Sequence, residues 1–169
     1  MDTRKFDIAT ADGHTIKGTA WAPAGQCRGV IQVFHGLGEH HARYERFARA
    51  AVQRDIAVVA HDHRGHGPDT PHLGHFADKK GWPLTTADGL QVNDWISQQF
   101  SDLPIILLGH SMGSYIAQYF AIRHSSRIKA LALSGSTWPG KALVITFYLL
   151  ARIESLRLGK RGESALLAK

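Results

Sequence analysis

The stretch Gly109-His110-Ser111-Met112-Gly113 decides the fold of this chain. It follows the apolar run 105–108 and precedes a helical pattern over 112–124, so a strand, a sharp turn and a helix succeed one another. A serine in such a turn adopts a strained backbone conformation that lifts its hydroxyl clear of the sheet, and flanking glycines avoid the clashes that larger residues would make. The pattern therefore predicts that Ser111 is a nucleophile at the start of a helix.

Length and composition indicate one ordinary globular domain. The chain has 169 residues, of which 44% are hydrophobic, enough to bury a sizeable core. Cys27 is the only cysteine, which excludes a disulfide within these residues and fits a reducing compartment; we expect it to be structural or incidental. The first residues are charged where a signal peptide would be apolar, so the expected location is cytoplasmic.

The positive charge is concentrated in the last third of the chain. The formal net charge is +6, and from Arg123 onward nine Lys and Arg residues stand against two acidic ones. No base-reading motif accompanies this basic stretch, so nucleic acid is not an expected partner. A solvated face or attraction to anionic lipid headgroups explains it, and peripheral contact with a membrane stays open.

Predicted strands alternate with predicted helices. The strands are expected over 6–10, 15–21, 29–34, 56–60, 105–108 and 128–134, and the helices over 43–54, 85–100 and 112–124. This order predicts an α/β fold, a mostly parallel sheet with helices on both faces and an antiparallel pair at one edge. A long loop, 64–83, is rich in Gly, Pro, Asp and His, and such loops are usually functional.

Three motifs follow strand ends and carry a family resemblance. They are His35-Gly36-Leu37-Gly38-Glu39-His40, Asp62-His63-Arg64-Gly65-His66-Gly67, and the opening stretch at 109–113. Through them the chain resembles the N-terminal part of an α/β-hydrolase of the monoacylglycerol lipase or lysophospholipase type. Because turns at the carboxyl ends of parallel strands gather at one edge of a sheet, the three motifs are expected to converge.

The resemblance implies how the chain is organised. It covers residues from about 16 to the end, and it implies the α/β-hydrolase fold with the later strands and most of the cap missing. Residues 1–137 would form the N-terminal part of the core, and 138–169 the beginning of a cap, which 158–167 resembles. The apolar and basic segment 141–158 would either line an acyl-chain pocket, where it could touch a membrane, or pack as a core helix under a lid.

The resemblance also implies the site residues. Ser111 would be the nucleophile, and the backbone N–H groups of Leu37 and Met112 would form the oxyanion hole. The motif residues that would support them are His35, Gly36, Gly109, His110 and Gly113. The 62–67 motif would brace the floor of the site, with Arg64 bonding nearby backbone carbonyls. The chain departs from the family at Ser114, where a second glycine is common, but serine is small enough to leave the turn intact.

The family's triad continues with an Asp or Glu and then a His, and neither is evident here. No aspartate follows Ser111, and the only later histidine, His124, would lie roughly 20 Å along the helix, beyond hydrogen-bond reach. His35 and His110 are fixed by their own motifs and are not expected to act as the base. We expect the triad Asp and His to come from outside the chain: from a second polypeptide, from a proteolysed or disordered segment, or from a part lost in a truncated gene.

Such an incomplete hydrolase would leave the strand at 128–134 as an exposed apolar sheet edge, so self-association or pairing with a partner is expected. A metal is not expected: His61, His63 and His66 have a spacing that can bind zinc, but the family resemblance already explains that segment as a structural turn. No cofactor is needed for the expected chemistry.

The leading hypothesis is a carboxylic-ester hydrolase acting on a lipid-like ester, such as a monoacylglycerol or lysophospholipid, although this chain alone is expected to be inactive. The alternative is a non-catalytic fragment that binds a partner through its open sheet edge. Another reaction on the same fold, that of a thioesterase, peptidase or haloperoxidase, is a third option because a fold does not fix chemistry.

Overall fold

A computed structural model describes residues 1–159, 162 and 164, and within them six strands form one sheet. The strands are β1 (Asp2–Ala9), β2 (Thr15–Ala22), β3 (Gly29–Phe34), β4 (Ile56–His61), β5 (Ile105–His110) and β6 (Ala130–Ser134). The helices are α1 (Glu45–Val52), α2 (Gly81–Gln99), α3 (Met112–His124) and α4 (Lys141–Leu158). All predicted strands and helices are therefore confirmed, with shifted ends.

The sheet has the order β1-β2-β4-β3-β5-β6. Strands β3, β4, β5 and β6 pair in parallel, whereas β1 pairs antiparallel with β2, and β2 antiparallel with β4. The predicted sheet, mostly parallel with an antiparallel pair at one edge, is confirmed. The opposite edge is β6, and all five of its residues are exposed.

Helices cover both faces of the sheet. Successive side chains on a strand point to opposite sides, so the apolar strands present residues to be buried on each face. On β4, Ala57 and Val59 pack in one cluster with Val92 and Ile96 of α2. The alternating residues Val58 and Ala60 pack on the other face, with Ala48 of α1. A third cluster joins Phe34 at the end of β3 to Leu107 of β5 and to Ile116, Ala117 and Phe120 of α3.

Helix α2 starts earlier than its sequence predicts. The loop was expected to extend through Pro83, but α2 begins at Gly81 and contains Pro83 in its first turn. A proline is tolerated there because the first N–H groups of a helix have no intrahelical partner in any case.

Polar residues of α2 are also buried: Asn93 donates to Gln32 Oε1 at 2.8 Å, and Gln32 donates to the Gly89 carbonyl at 2.7 Å.

The chain divides into two compact units, Met1–Ser136 and Thr137–Lys169. The second unit contains α4, in which Arg157 donates two hydrogen bonds of 2.9 Å to Glu154. Most of the segment 158–167, which resembles the start of a cap, lies outside the described residues. No helix in the described part of the chain is both long and apolar enough to cross a membrane.

Candidate active site

Ser111 stands at the junction of β5 and α3 in a strained backbone conformation, with φ 50° and ψ −119°. Residues with a side chain rarely adopt a positive φ, and such strain persists only where the surroundings impose it. Here two glycines allow it. A Cβ atom at Gly109 would lie 2.5 Å from the Gly113 carbonyl oxygen, and one at Gly113 would lie 2.1 Å from the Phe34 carbonyl oxygen. The sharp turn predicted at 109–113 therefore depends on glycine at both positions.

Hydrogen bonds hold the backbone of Ser111 on both sides. Its N–H donates to the carbonyl of Ser134, the last residue of β6, at 2.8 Å. Its carbonyl accepts two hydrogen bonds from Ser114, one from the backbone N–H at 2.9 Å and one from the hydroxyl at 2.6 Å. The sequence predicts only that Ser114 is small enough to replace a glycine, so these contacts of its hydroxyl are not predictable from residue type.

The loop after β3 passes directly beside Ser111. A Cβ atom at Gly36 would lie 3.3 Å from the Cβ of Ser111. Glu39 closes this loop, because its carboxylate accepts from the Gly36 N–H at 2.9 Å and from the Tyr44 hydroxyl at 3.1 Å. Burial acts to raise the pKa of the Glu39 carboxyl, but these two hydrogen bonds, together with nearby positive charge, outweigh burial and lower it. Sequence analysis assigns Glu39 no role beyond its place in the 35–40 motif; its position three residues after Gly36 is the signal for this contact.

His35 lies beneath the loop and supports it. Its side chain is fully buried, and Nε2 accepts the His63 N–H at 3.0 Å, so the ring proton is on Nδ1, which donates to the Gly36 carbonyl at 2.8 Å. Burial lowers the pKa of His35 to about 4, which keeps the ring neutral at pH 7. Both ring nitrogens are thus committed to the backbone.

The other two histidines considered as a base are also engaged elsewhere. His110 Nδ1 lies 3.2 Å from the Ser134 hydroxyl. His124 is the last residue of α3, where its ring packs against Phe120 at 5.0 Å between centroids. Among the described residues no histidine forms a hydrogen bond with the Ser111 side chain.

The expectation for Arg64 is wrong. Its guanidinium bonds carboxylates rather than backbone carbonyls: it donates to Asp88 at 2.6 and 2.8 Å and to Asp12 at 2.5 and 2.9 Å. A buried guanidinium needs opposite charge, which carboxylates supply in bidentate geometry and carbonyls do not. Burial opposes the charge of Arg64, but the hydrogen bonds and charges of the two carboxylates outweigh burial and raise the pKa of Arg64. The ion pairs tie the loop after β4 to α2 and to the first hairpin turn.

The histidines at the end of β4 and in the loop that follows it pack ring against ring. His61 and His63 are buried, and their ring centroids are 5.1 Å apart with the planes nearly perpendicular. Burial lowers the pKa of His61 to about 3. Within residues 1–159, 162 and 164, no group of three or more His, Cys, Asp or Glu side chains is placed to hold a metal ion.

Two concave surfaces lie near the motifs. A cavity of about 330 Å³ is lined by His63, His66 and Phe76 among others, and Ser111 is not part of its lining. A groove of about 480 Å³ is lined in part by Glu39 and His110. Ser111 lines neither surface; the groove includes Glu39 of the loop after β3 and His110, the residue before Ser111.

Comparison with known proteins assigns the family. The family described as serine aminopeptidase, S33 (Hydrolase_4) matches residues 25–161. The monoglyceride lipase of Homo sapiens is 36% identical over 126 residues, which are 75% of this chain and 41% of that protein. The monoacylglycerol lipase of Mycolicibacterium smegmatis is 34% identical over 133 residues, or 78% and 46%. The chain thus spans less than half the length of these curated relatives.

Solved structures agree with the sequence relatives. The thermostable carboxyl esterase of Bacillus coagulans superposes with a TM-score of 0.85 at 27% identity, covering 99% of this chain and 55% of that one. This likeness confirms the predicted α/β-hydrolase fold. Since the family match covers most of the chain and two curated lipases exceed 30% identity, the chain belongs to the serine aminopeptidase S33 (Hydrolase_4) family of lipase- and esterase-type α/β-hydrolases.

Proposed function

We propose that the chain carries the nucleophile and the oxyanion hole of a carboxylic-ester hydrolase. The observation that supports this most is the strained backbone of Ser111, with φ 50°, at the start of α3 beside the loop that contains Gly36. Strain of this kind is kept where it serves a function, and here it presents a hydroxyl at the carboxyl end of a central strand. Ser111 also lies at the N-terminus of α3, where the positive end of the helix dipole favours the negative charge that develops on an ester carbonyl oxygen.

The two proposed oxyanion donors are the N–H groups of Leu37 and Met112. His35 holds the Gly36 carbonyl, and in a trans peptide the N–H points away from the carbonyl, so the Leu37 N–H is directed away from the buried ring. When Ser111 Oγ attacks an ester carbonyl, the oxygen becomes an oxyanion that these N–H groups can bind. Each donor of this kind typically contributes a few kcal/mol to transition-state stabilisation.

A serine hydroxyl also needs a base, and we propose that the triad His and Asp lie outside these 169 residues. The ring nitrogens of His35 are bonded to the backbone, and His110 contacts Ser134. Of the later acids in the sequence, Glu154 is paired with Arg157 and Glu163 lies outside the described residues. Because the chain spans under half of its curated relatives, a base supplied by further sequence fits the comparison.

The proposed substrate is a lipid-like ester such as a monoacylglycerol or lysophospholipid. The relatives named monoglyceride lipase and monoacylglycerol lipase support this class. We further propose that 1–137 form the N-terminal part of the hydrolase core and that 138–169 begin a cap. Many aliphatic and aromatic side chains of α4, including Leu143 and Phe147, are exposed, which suits contact with an acyl chain or a membrane surface. The proposed location is the cytoplasm, at the surface of a membrane.

The test is hydrolysis of p-nitrophenyl esters and of aminoacyl p-nitroanilides, together with fluorophosphonate labelling of the complete enzyme. Ester turnover and labelling at Ser111 are expected, and Ser111→Ala should abolish both. Ser97→Ala, which deletes a hydroxyl bonded to the Asn93 carbonyl elsewhere on the surface, is the matched control. Labelling that persists in Ser111→Ala would contradict the assignment of Ser111 as the nucleophile. Hydrolysis of the anilide but not of the ester would show that the enzyme is a peptidase and not an esterase.

A second candidate function is favoured by the exposed edge strand β6. Leu131 and Leu133 of β6 are 39% and 42% exposed, and an unpaired strand edge can add a further strand. A non-catalytic role would be binding of a partner, or of a second copy, along this edge. Light scattering tests it: Leu131→Lys combined with Leu133→Lys should reduce association, whereas Ile122→Lys, on the exposed side of α3, should leave it unchanged.

A further inference from the structure

We infer that Ser114 is a positioning residue whose hydroxyl aims the Met112 N–H at the oxyanion, an inference that rests on the proposed function. The residue is fully buried in the first turn of α3. Its Oγ donates to the Ser111 carbonyl at 2.6 Å, and its N–H donates to the same oxygen at 2.9 Å. It therefore acts on the nucleophile's own backbone without contacting a substrate.

The connection to the oxyanion hole is geometric. The Ser111 carbonyl and the Met112 N–H belong to one peptide group, and no peptide among the described residues is cis. In a trans peptide the two bonds point in opposite directions, so fixing the carbonyl fixes the N–H. Ser114 supplies two donors to this one carbonyl oxygen, which restricts rotation of the peptide more than a single donor would.

The arrangement mirrors that of the other proposed donor. There, His35 Nδ1 holds the Gly36 carbonyl at 2.8 Å and thereby directs the Leu37 N–H. Each proposed oxyanion donor thus has its peptide carbonyl anchored by a buried side chain. Glycine at position 114 would supply only the backbone donor, so serine adds a constraint on a turn that is already strained at φ 50°.

The test must work without a triad histidine. A cysteine thiol meets this requirement, because it loses its proton to form a nucleophilic thiolate without a neighbouring base. In a background with Ser111→Cys and Cys27→Ser, the introduced thiolate attacks p-nitrophenyl acetate. A carbon–sulfur bond forms, the ester carbon–oxygen bond breaks, p-nitrophenolate leaves, and the thiol proton goes to the buffer. This acylation passes through an oxyanion. Alkylation of the same thiol by iodoacetamide forms no oxyanion and reports only on the accessibility and ionisation of the sulfur.

The measured quantity is the ratio of the acylation rate to the alkylation rate, compared with that of N-acetylcysteine. The ratio in the background variant is expected to exceed that of the free thiol. Adding Ser114→Ala or Ser114→Gly should lower it about tenfold, with alkylation unchanged, while Ser114→Thr should largely keep it. Ser97→Ala, which removes a hydroxyl bonded to a helix carbonyl away from the site, should have no effect.

Different outcomes separate this inference from the proposed function. A raised ratio that survives both Ser114→Ala and Ser114→Gly overturns the role of Ser114 and leaves the oxyanion hole standing. A background ratio equal to that of the free thiol overturns the oxyanion hole and, with it, this inference. Circular dichroism of each variant establishes that it is folded. Ser114→Ala and Ser114→Gly both remove the hydroxyl, so they should lower the ratio to the same extent.

Discussion

At the scale of single residues, Gly113 is the position most sensitive to an added methyl group. A Cβ atom there would lie 2.1 Å from the Phe34 carbonyl oxygen and 2.6 Å from that of His35, and these are backbone atoms that cannot move aside. We expect Gly113→Ala to lower the free energy of unfolding by about 3 kcal/mol or more. Urea denaturation measures this. Gly25→Ala, where a Cβ atom would meet nothing within 4 Å, should be neutral or slightly stabilising.

The position of Ser111 could be predicted at this scale, and the contacts that hold it could not. The spacing of Gly109, Ser111 and Gly113 identifies a turn because few other residues fit it. In contrast, the roles of Ser114 and His35 depend on which backbone carbonyl each side chain reaches. That is decided by a dihedral angle at Ser111 and by the packing of a buried ring, neither of which is visible in residue type alone.

At the scale of elements, Arg64 links three parts of the chain, and the two carboxylates it bonds are not equivalent. The side chain of Asp88 on α2 is 3% exposed, whereas that of Asp12 in the hairpin turn is 41% exposed. We expect Asp88→Ala to lower the free energy of unfolding by about 3 kcal/mol, since it leaves a buried guanidinium with one partner. Asp12→Ala should cost about 1 kcal/mol because solvent screens that pair. Equal losses in chemical denaturation would contradict this difference.

The elements themselves were largely predictable. Buried strands such as β3 and β4 are continuous apolar runs, and periodic apolar residues indicate the helices. The sequence places the start of α2 too late, because a proline usually indicates a loop, although the first turn of a helix accepts one such as Pro83. The partners of Arg64 are not predictable from sequence, because Asp12 and Asp88 are 52 and 24 residues away in the chain and the pattern of neither segment indicates a long-range ion pair.

At the scale of the whole molecule, buried histidines make stability depend on pH. Burial lowers the pKa of His35 to about 4 and that of His61 to about 3, and it lowers the pKa of His63 as well. An unfolded histidine has a pKa of about 6.5, so below that pH the unfolded chain binds more protons and stability falls as pH falls. Between pH 7 and pH 5, we expect His35 and His61 each to lower the free energy of unfolding by about 2 kcal/mol, and His63 to act in the same direction.

Urea denaturation at pH 7, 6 and 5 measures this slope. Replacing one buried ring by an apolar side chain, as in His61→Leu, should reduce the loss of stability between pH 7 and pH 5 by about one histidine's share. Ser97→Ala, which removes no group that titrates between pH 5 and pH 7, should leave the slope as it is. A slope that His61→Leu does not change would show that the acid sensitivity has another origin.

The hydrogen bond from the Ser111 N–H to the Ser134 carbonyl makes the candidate nucleophile the direct neighbour of the edge strand β6. Edge strands open locally more readily than central ones, and an amide exchanges with solvent only when its acceptor leaves. When β6 opens, the hydrogen bond that holds the Ser111 N–H is lost, so the strained turn is fully held only while β6 stays paired. In hydrogen–deuterium exchange, the Ser111 amide should exchange together with the amides of β6, more slowly whenever that edge is occupied.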